Sequence, residues 1–143
     1  MKFAVFAVTI LALGTASASA QDLTRGEQSF KKCIACHAVG EGAQNRVGPV
    51  LNGVFGRTAG TAPDYKYSKA MTEAGAAGLV WNHFTIGHFL HKPREFVNGT
   101  KMTFPGFNKD QEIEDVLAYL QTFSPDYVPA EGEQVPHQQD AAH

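Results

Sequence analysis

The chain is poor in cysteine, tryptophan, methionine and charge. Its 143 residues include two Cys, one Trp and three Met, and Asp, Glu, Lys and Arg together make up 18%. The two cysteines, Cys33 and Cys36, have no second pair with which to complete a structural zinc site. A disulfide between them would close a very small loop and stabilise little. A redox dithiol of the thioredoxin kind wants a preceding strand and a βαβ pattern around it, and neither is present. Basic residues nowhere form a stripe: 12 Lys and Arg stand against 14 Asp and Glu, a net charge of −2, which excludes a phosphate-gripping surface and nucleic acid as a partner. The one extended apolar run, Phe3 to Leu13, falls well short of the ~20 residues that a spanning helix needs, so no stable membrane insertion is expected.

That run instead belongs to a leader. Lys2 precedes it and the small residues Ala18, Ser19 and Ala20 close it, the signature of a signal peptide over residues 1–20 with cleavage after Ala20. The expected location is therefore periplasmic, across the inner membrane. The remainder is long enough for one domain, over residues 21–123. Residues 124–143 carry Pro125, Pro129 and Pro136 with Asp126, Glu131, Glu133 and Asp140 and no basic residue, an acidic tail expected to be disordered.

The stretch that organises the rest is Cys33-Ile34-Ala35-Cys36-His37. Two thiols separated by two residues, with an imidazole directly after the second, suit covalent haem: each sulfur can add to one vinyl group while His37 comes up beneath the iron. One turn of helix accommodates this spacing. Upstream, Thr24 and Glu27 have capping-box spacing and predict a short helix through Phe30. Glycine at 40, 42, 48, 53, 56 and 60, with Pro49 among them, predicts an irregular loop, of a length that is uncommon unless it wraps a functional group. Short helices are expected over 67–74, 81–90 and from Pro93 to about Asn98. The last helix is the clearest. Asn108 is its candidate N-cap with Gln111 in the capping-box position, and Ile113, Val116, Leu117 and Leu120 recur at i, i+3, i+4 and i+7. Its apolar stripe needs an inward partner, for which Phe30 is suited.

A haem iron held by His37 either stays open for chemistry or takes a sixth ligand, and a thioether there favours electron transfer. Met1 leaves with the leader, so Met71 and Met102 compete. Met102 lies in a Gly- and Pro-punctuated loop, Gly99 to Gly106, which can present a side chain to a distal face. Met71 lies on an expected helix, where core packing is the ordinary use. The loop position favours Met102 without removing Met71. His88 and His91 stand one helical turn apart, but two ligands are poor grounds for a further metal. His83, His137 and His143 are expected at the surface or in the tail.

Several separate segments, in order, resemble class I c-type cytochromes, the family of mitochondrial cytochrome c and the small bacterial c-two type. They are Lys32 to His37, Val47-Gly48-Pro49, Gly53 to Gly60, Tyr65 to Ser68, Trp81, Pro93, Gly99-Thr100-Lys101-Met102 and Ala118-Tyr119-Leu120, spread over Leu23 to Phe123. The resemblance implies an all-α cytochrome c fold, four or five short helices and long loops around one covalent haem c. It implies Cys33 and Cys36 as thioether partners and His37 and Met102 as axial ligands. Pro49 would accept a hydrogen bond from the proximal imidazole through its carbonyl, and Arg57, Tyr67, Trp81 and Thr100 would form the haem environment. Phe89 stands where the mitochondrial proteins have a tyrosine near the methionine sulfur, and Met71 where the family has a polar residue, so a drier distal pocket is expected.

By the same resemblance, Lys32, Arg46, Arg94 and Lys101 ring the haem edge and steer acidic redox partners, with Glu95 interrupting the ring. The function implied is that of a monomeric electron carrier, not an enzyme, whose partners are a cytochrome bc complex and a terminal oxidase or photosynthetic reaction centre. The alternatives are a dedicated acceptor for a periplasmic dehydrogenase or a peroxidase-like haem enzyme. The latter needs an open distal site with a polar residue over it, whereas this chain offers a thioether and Phe89.

Overall fold

The computed structural model describes residues 18–133, so most of the expected signal peptide, with His137 and His143, lies outside the described residues. Five helices are described: α1 Ala18–Phe30, α2 Lys69–Ala76, α3 His83–His91, α4 Pro93–Phe96 and α5 Asp110–Gln121. Among the described residues the only β pairing is an isolated antiparallel bridge between Thr58 and Val80. No helix of these residues is long and apolar enough to cross a membrane.

Two expected helix caps, Thr24 and Asn108, differ from the structure. Thr24 does not cap α1, because the helix already runs from Ala18. Asn108 does not cap α5; the cap position is Lys109, in extended backbone and without a side-chain bond. Gln111 is drawn elsewhere, donating to Asp115 at 3.0 Å. The cap on α3 is Asn82, which forms a full capping box with Thr85. Ser68 likewise caps α2 by accepting from the Met71 amide at 3.1 Å.

Helices α1 and α5 cross in close contact and build the core. Phe30, Val116, Leu117 and Leu120 are each at most 3% exposed, and Phe30 packs on Tyr119 with ring centroids 5.4 Å apart. Beside this contact the Arg25 guanidinium grips the Asp115 carboxylate through two bonds, at 3.0 and 3.2 Å. Such a fork-to-fork pair offsets the cost of burying Asp115, which is 3% exposed. The approach depends on Gly26. A Cβ there would overlap the Asp115 carbonyl oxygen and lie 2.7 Å from Tyr119 Cβ.

Helix α1 therefore arrives at Phe30 in a fixed position, and the chain continues through turns into Cys33–His37. The His37 amide donates to the Cys33 carbonyl at 2.9 Å, one α-turn isolated from the helix before it. The segment from Gly40 to Gly60 is irregular, as expected, with Gly40, Gly42, Gly53, Gly56 and Gly60 in the left-handed region. Substituting Gly26 with Ala is expected to cost about 1–3 kcal/mol of stability in urea unfolding, because backbone must separate from backbone. Gln28→Ala, on the exposed face of the same helix, should stay within about 0.5 kcal/mol.

Candidate functional site

The helices and loops leave one large apolar cleft, enclosing about 1340 Å³ of free space with its mouth included. Its floor is the core itself: Phe30, Val116 and Leu120 reach it from α1 and α5, and Ile86, Phe89 and Leu90 from α3. Cys33, Cys36 and His37 all border it. So do Pro49, Arg57, Tyr67, Trp81, Thr100 and Met102, which brings every sequence-predicted cofactor and metal-ligating residue to one cavity. Met71 borders it too, 7% exposed on α2, so both candidate methionines face the same space.

His37 is the most constrained of these groups. Its Nδ1 lies 2.7 Å from the Pro49 carbonyl oxygen. A carbonyl can only accept, so Nδ1 carries the proton and Nε2 is left with an unshared pair, the form that binds a metal. Burial lowers the His37 pKa, and the Pro49 bond opposes that only in part, which favours the neutral ring. Gly48 explains how the loop comes so close. A Cβ at this position would sit 2.5 Å from His37 Cε1. The sequence shows Gly48 only as a neighbour of Pro49; its steric role needs the folded loop.

The two cysteines are unpaired. Burial pushes the Cys33 thiol up to about 11 against the opposing pull of Lys32, so the sulfur is held as a protonated thiol at neutral pH. An unattached Cys33 is therefore not a reactive thiolate. A thiol fixed at the wall of an apolar cleft is instead suited to a lasting thioether.

On the opposite arm, Trp81 packs on Phe89 at 5.2 Å and exchanges backbone bonds with the Gly56–Arg57 turn: its amide donates to Arg57 O at 2.9 Å and its carbonyl accepts from the Gly56 amide at 2.7 Å. The Arg57 guanidinium donates to Asn52 O at 2.7 Å and makes longer contacts, 3.4 Å each, to Val50 and Gly53 carbonyls. Three of its five N–H groups are thus used by the loop. The Tyr67 hydroxyl accepts from the Ala62 amide at 3.2 Å and keeps its own proton to donate. Thr100 Oγ1 accepts from the Met102 amide at 3.3 Å, shaping the turn that carries the thioether.

The basic residues are less uniform than expected. Lys32 and Lys101 border the cleft, whereas Arg46 and Arg94 are exposed away from its lining. Lys32 pairs with Glu112 at 2.8 Å, and Lys101 donates to the Lys66 carbonyl at 2.6 Å. Arg46 donates to the Ile34 carbonyl at 3.0 Å, pinning the turn between the cysteines. Glu95 pairs with Lys92 at 3.1 Å. The histidines differ as well: His83, expected at the surface, is 5% exposed, with Nδ1 3.2 Å from Glu133. His88 lies against Phe84, ring centroids 4.3 Å apart, and His91 Nδ1 is 3.2 Å from the Phe107 carbonyl.

A helical chain wrapped on one apolar cleft, with two thiols and a tautomer-fixed imidazole along a single wall, defines a protein built around a covalently attached flat macrocycle. The family model for cytochrome c matches residues 23–124. Cytochrome c2 of Agrobacterium tumefaciens (strain II Chrys) is 50% identical over 110 residues, which cover 77% of this chain and 98% of that relative. Cytochrome c2 of Blastochloris viridis is 41% identical over 126 residues, 88% of this chain and 97% of that protein. The solved structure of cytochrome c2 from Rhodospirillum Centenum superposes with a TM-score of 0.70 at 44% identity, covering 73% of this chain and 99% of that one. The chain belongs to the cytochrome c family, in its c2-type branch. It is a single-haem electron carrier and not an enzyme, with one covalently attached haem c.

Gly48→Ala is expected to push the His37 ring off the Pro49 carbonyl. A marked loss of covalently haem-loaded protein on a haem-stained gel, at equal expression, is the expected outcome; undiminished loading would show that the ring has other room.

Proposed function

We propose that Cys33 and Cys36 carry the haem through thioether bonds, that His37 and Met102 are the axial ligands, and that the protein shuttles electrons in the periplasm between membrane-bound redox complexes. The observation that carries this reading is the His37–Pro49 bond, which leaves Nε2 as a metal-binding atom at the edge of the cleft that Met102 also borders. When bound, the haem supplies reversible one-electron exchange between ferric and ferrous iron.

The chain's own residues do the rest. Pro49 holds the imidazole in one tautomer and raises its basicity. Thr100 orders the turn that presents Met102. Met102 is preferred to Met71 because it lies on a loop at the cleft, whereas Met71 packs in the core. Arg57 and Tyr67, whose side chains also interact with each other, would offer donors to the propionate carboxylates. Phe89, Leu90 and Ile86 give the cleft an apolar wall that would exclude water from a bound haem and favour the less charged ferrous state. The small rearrangement that a packed cavity allows suits rapid exchange without a bound substrate.

Partners are proposed to be a cytochrome bc complex as donor and a terminal oxidase or photosynthetic reaction centre as acceptor, docking where Lys32 and Lys101 flank the cleft, with Arg46 and Arg94 farther out. The Lys32–Glu112 pair tempers this field, so the dependence of rate on salt is carried more by Lys101 and Arg46.

Two measurements test the ligand set. In Met102→Ala the weak near-infrared sulfur-to-iron band of the ferric protein should vanish, while Met71→Leu should keep it; the reverse pattern would transfer the ligand role to Met71. In Phe89→Tyr a hydroxyl enters the pocket wall, and the midpoint potential should shift measurably. An unchanged potential would show that the wall at Phe89 does not set the polarity at the iron.

A further inference from the structure

Residues Ser124 to Glu133, expected to be disordered, are bound to the domain. Those from Tyr127 onward also lie beyond the residues that the family model matches. The Phe123 carbonyl accepts from the Gly53 amide at 2.8 Å, and Ser124 Oγ from the Phe55 amide at 3.3 Å. The Tyr127 ring then packs on Phe55 at 5.3 Å and lies so close to Gly56 that a Cβ there would be 3.2 Å from it. Glu133 turns back inward, its side chain 7% exposed. Its carboxylate accepts from the His83 amide at 2.8 Å, Tyr127 Oη at 2.6 and 2.5 Å, and the Ala130 amide at 3.1 Å, and His83 Nδ1 lies 3.2 Å away.

The strap contacts Phe55, Gly56 and His83, which belong to two segments, 53–57 and 81–83. These segments are tied to each other by the Gly56–Trp81 and Trp81–Arg57 backbone bonds, and on their inner side Val54, Arg57 and Trp81 line the cleft. We propose that residues 124–133 are a strap that clamps this wall of the haem cavity, with Tyr127 and Glu133 as positioning residues that hold Arg57 and Trp81 in place and keep water from the haem.

The chemistry of the clasp supports this role. Burial pulls the Glu133 pKa upward, but the bonds from Tyr127, His83 and Ala130 outweigh it and leave the carboxyl below its ordinary value. Burial and the neighbouring carboxylate push the Tyr127 hydroxyl far above its usual range, so it remains a donor. A buried carboxylate that collects this many donors holds its partners tightly, and loss of one donor strands charge in an apolar place. The effect on the haem runs through solvent access: water admitted beside Arg57 and Trp81 stabilises the more highly charged ferric state and lowers the potential.

The test uses the full-length haem-loaded protein in three variants: Tyr127→Phe, Glu133→Gln and, as a control, Asp126→Asn, which removes an equal charge from the exposed part of the strap. Amide exchange is followed at Gly56 and Trp81, together with the midpoint potential. The strap variants should exchange at least about tenfold faster at both amides and show a lowered potential. Removal of a negative charge alone would raise the potential, so Glu133→Gln moving in the same direction as Asp126→Asn overturns the proposal. Unchanged exchange in Tyr127→Phe overturns it too, as does faster exchange at constant potential, which would make the strap a stability element only. The exchange readout does not depend on the partners or axial ligands proposed above, so failure there is distinguishable from failure of those assignments.

Discussion

The contact of α1 with α5 at Gly26 is the constraint on which the rest of the molecule depends. A chain of this size must line a large apolar cleft and still bury enough apolar surface to fold. It does so by letting two helices approach until the backbone of one meets the other, which only a residue without a side chain permits. The gain is twofold. Val116, Leu117 and Leu120 become almost wholly buried, at roughly 25 cal/mol per Å² of apolar surface removed from water. The end of α1 is also fixed in space, and with it the turn carrying Cys33, Cys36 and His37. The residues that stabilise the fold and those that aim the site are thus the same helices seen from two sides: Phe30 packs on Tyr119 and also borders the cleft.

What this contact leaves undone falls to irregular backbone. Between Gly40 and Gly60 there is no helix, and order comes from individual bonds: Asn52 to both polar groups of Gly40, Asn45 to Val50 and Pro63, Arg57 to three carbonyls. Each contributes about 1 kcal/mol net. Together they hold Pro49 where its carbonyl can fix the imidazole. A cofactor lying on such a loop would add apolar contacts that the loop lacks and so stabilise it further.

Much of this was legible before the structure. Cys33 to His37 identifies the chemistry because thiol addition and metal ligation impose a spacing that few other sites share. The apolar stripe of α5 gives that helix and its buried face because burial follows the 3.6-residue period. Two kinds of feature were not legible. The helix starts read at Thr24 and Asn108 differ from the structure for separate reasons: α1 already runs from Ala18, and beside the start of α5 Gln111 is taken by Asp115, a residue that tertiary packing also brings to Arg25. The ordering of residues 124–133 was missed because its composition, rich in proline and acid, is that of a solvated tail. One buried carboxylate outweighs that composition by collecting donors from His83, Tyr127 and Ala130, and no local pattern announces such a set.

The same reasoning bears on how the surface works. A ring of cations counted from the sequence overstates the field at the cleft, because position decides which charges act. Lys32 stands at the edge but shares its charge with Glu112, and its ammonium also lies 4.8 Å from the centre of the Phe107 ring. Arg46 is committed by a hydrogen bond to the turn between the cysteines, so its charge is held at a fixed distance from them. Ile34 and Val47 are 50% and 75% exposed. Long-range attraction needs only the net field, whereas electron transfer needs a close, dry contact that can be released. On the docking face proposed above, a few fixed cations around exposed aliphatic side chains would meet both demands: charge would orient the encounter, and modest apolar burial would keep the complex short-lived.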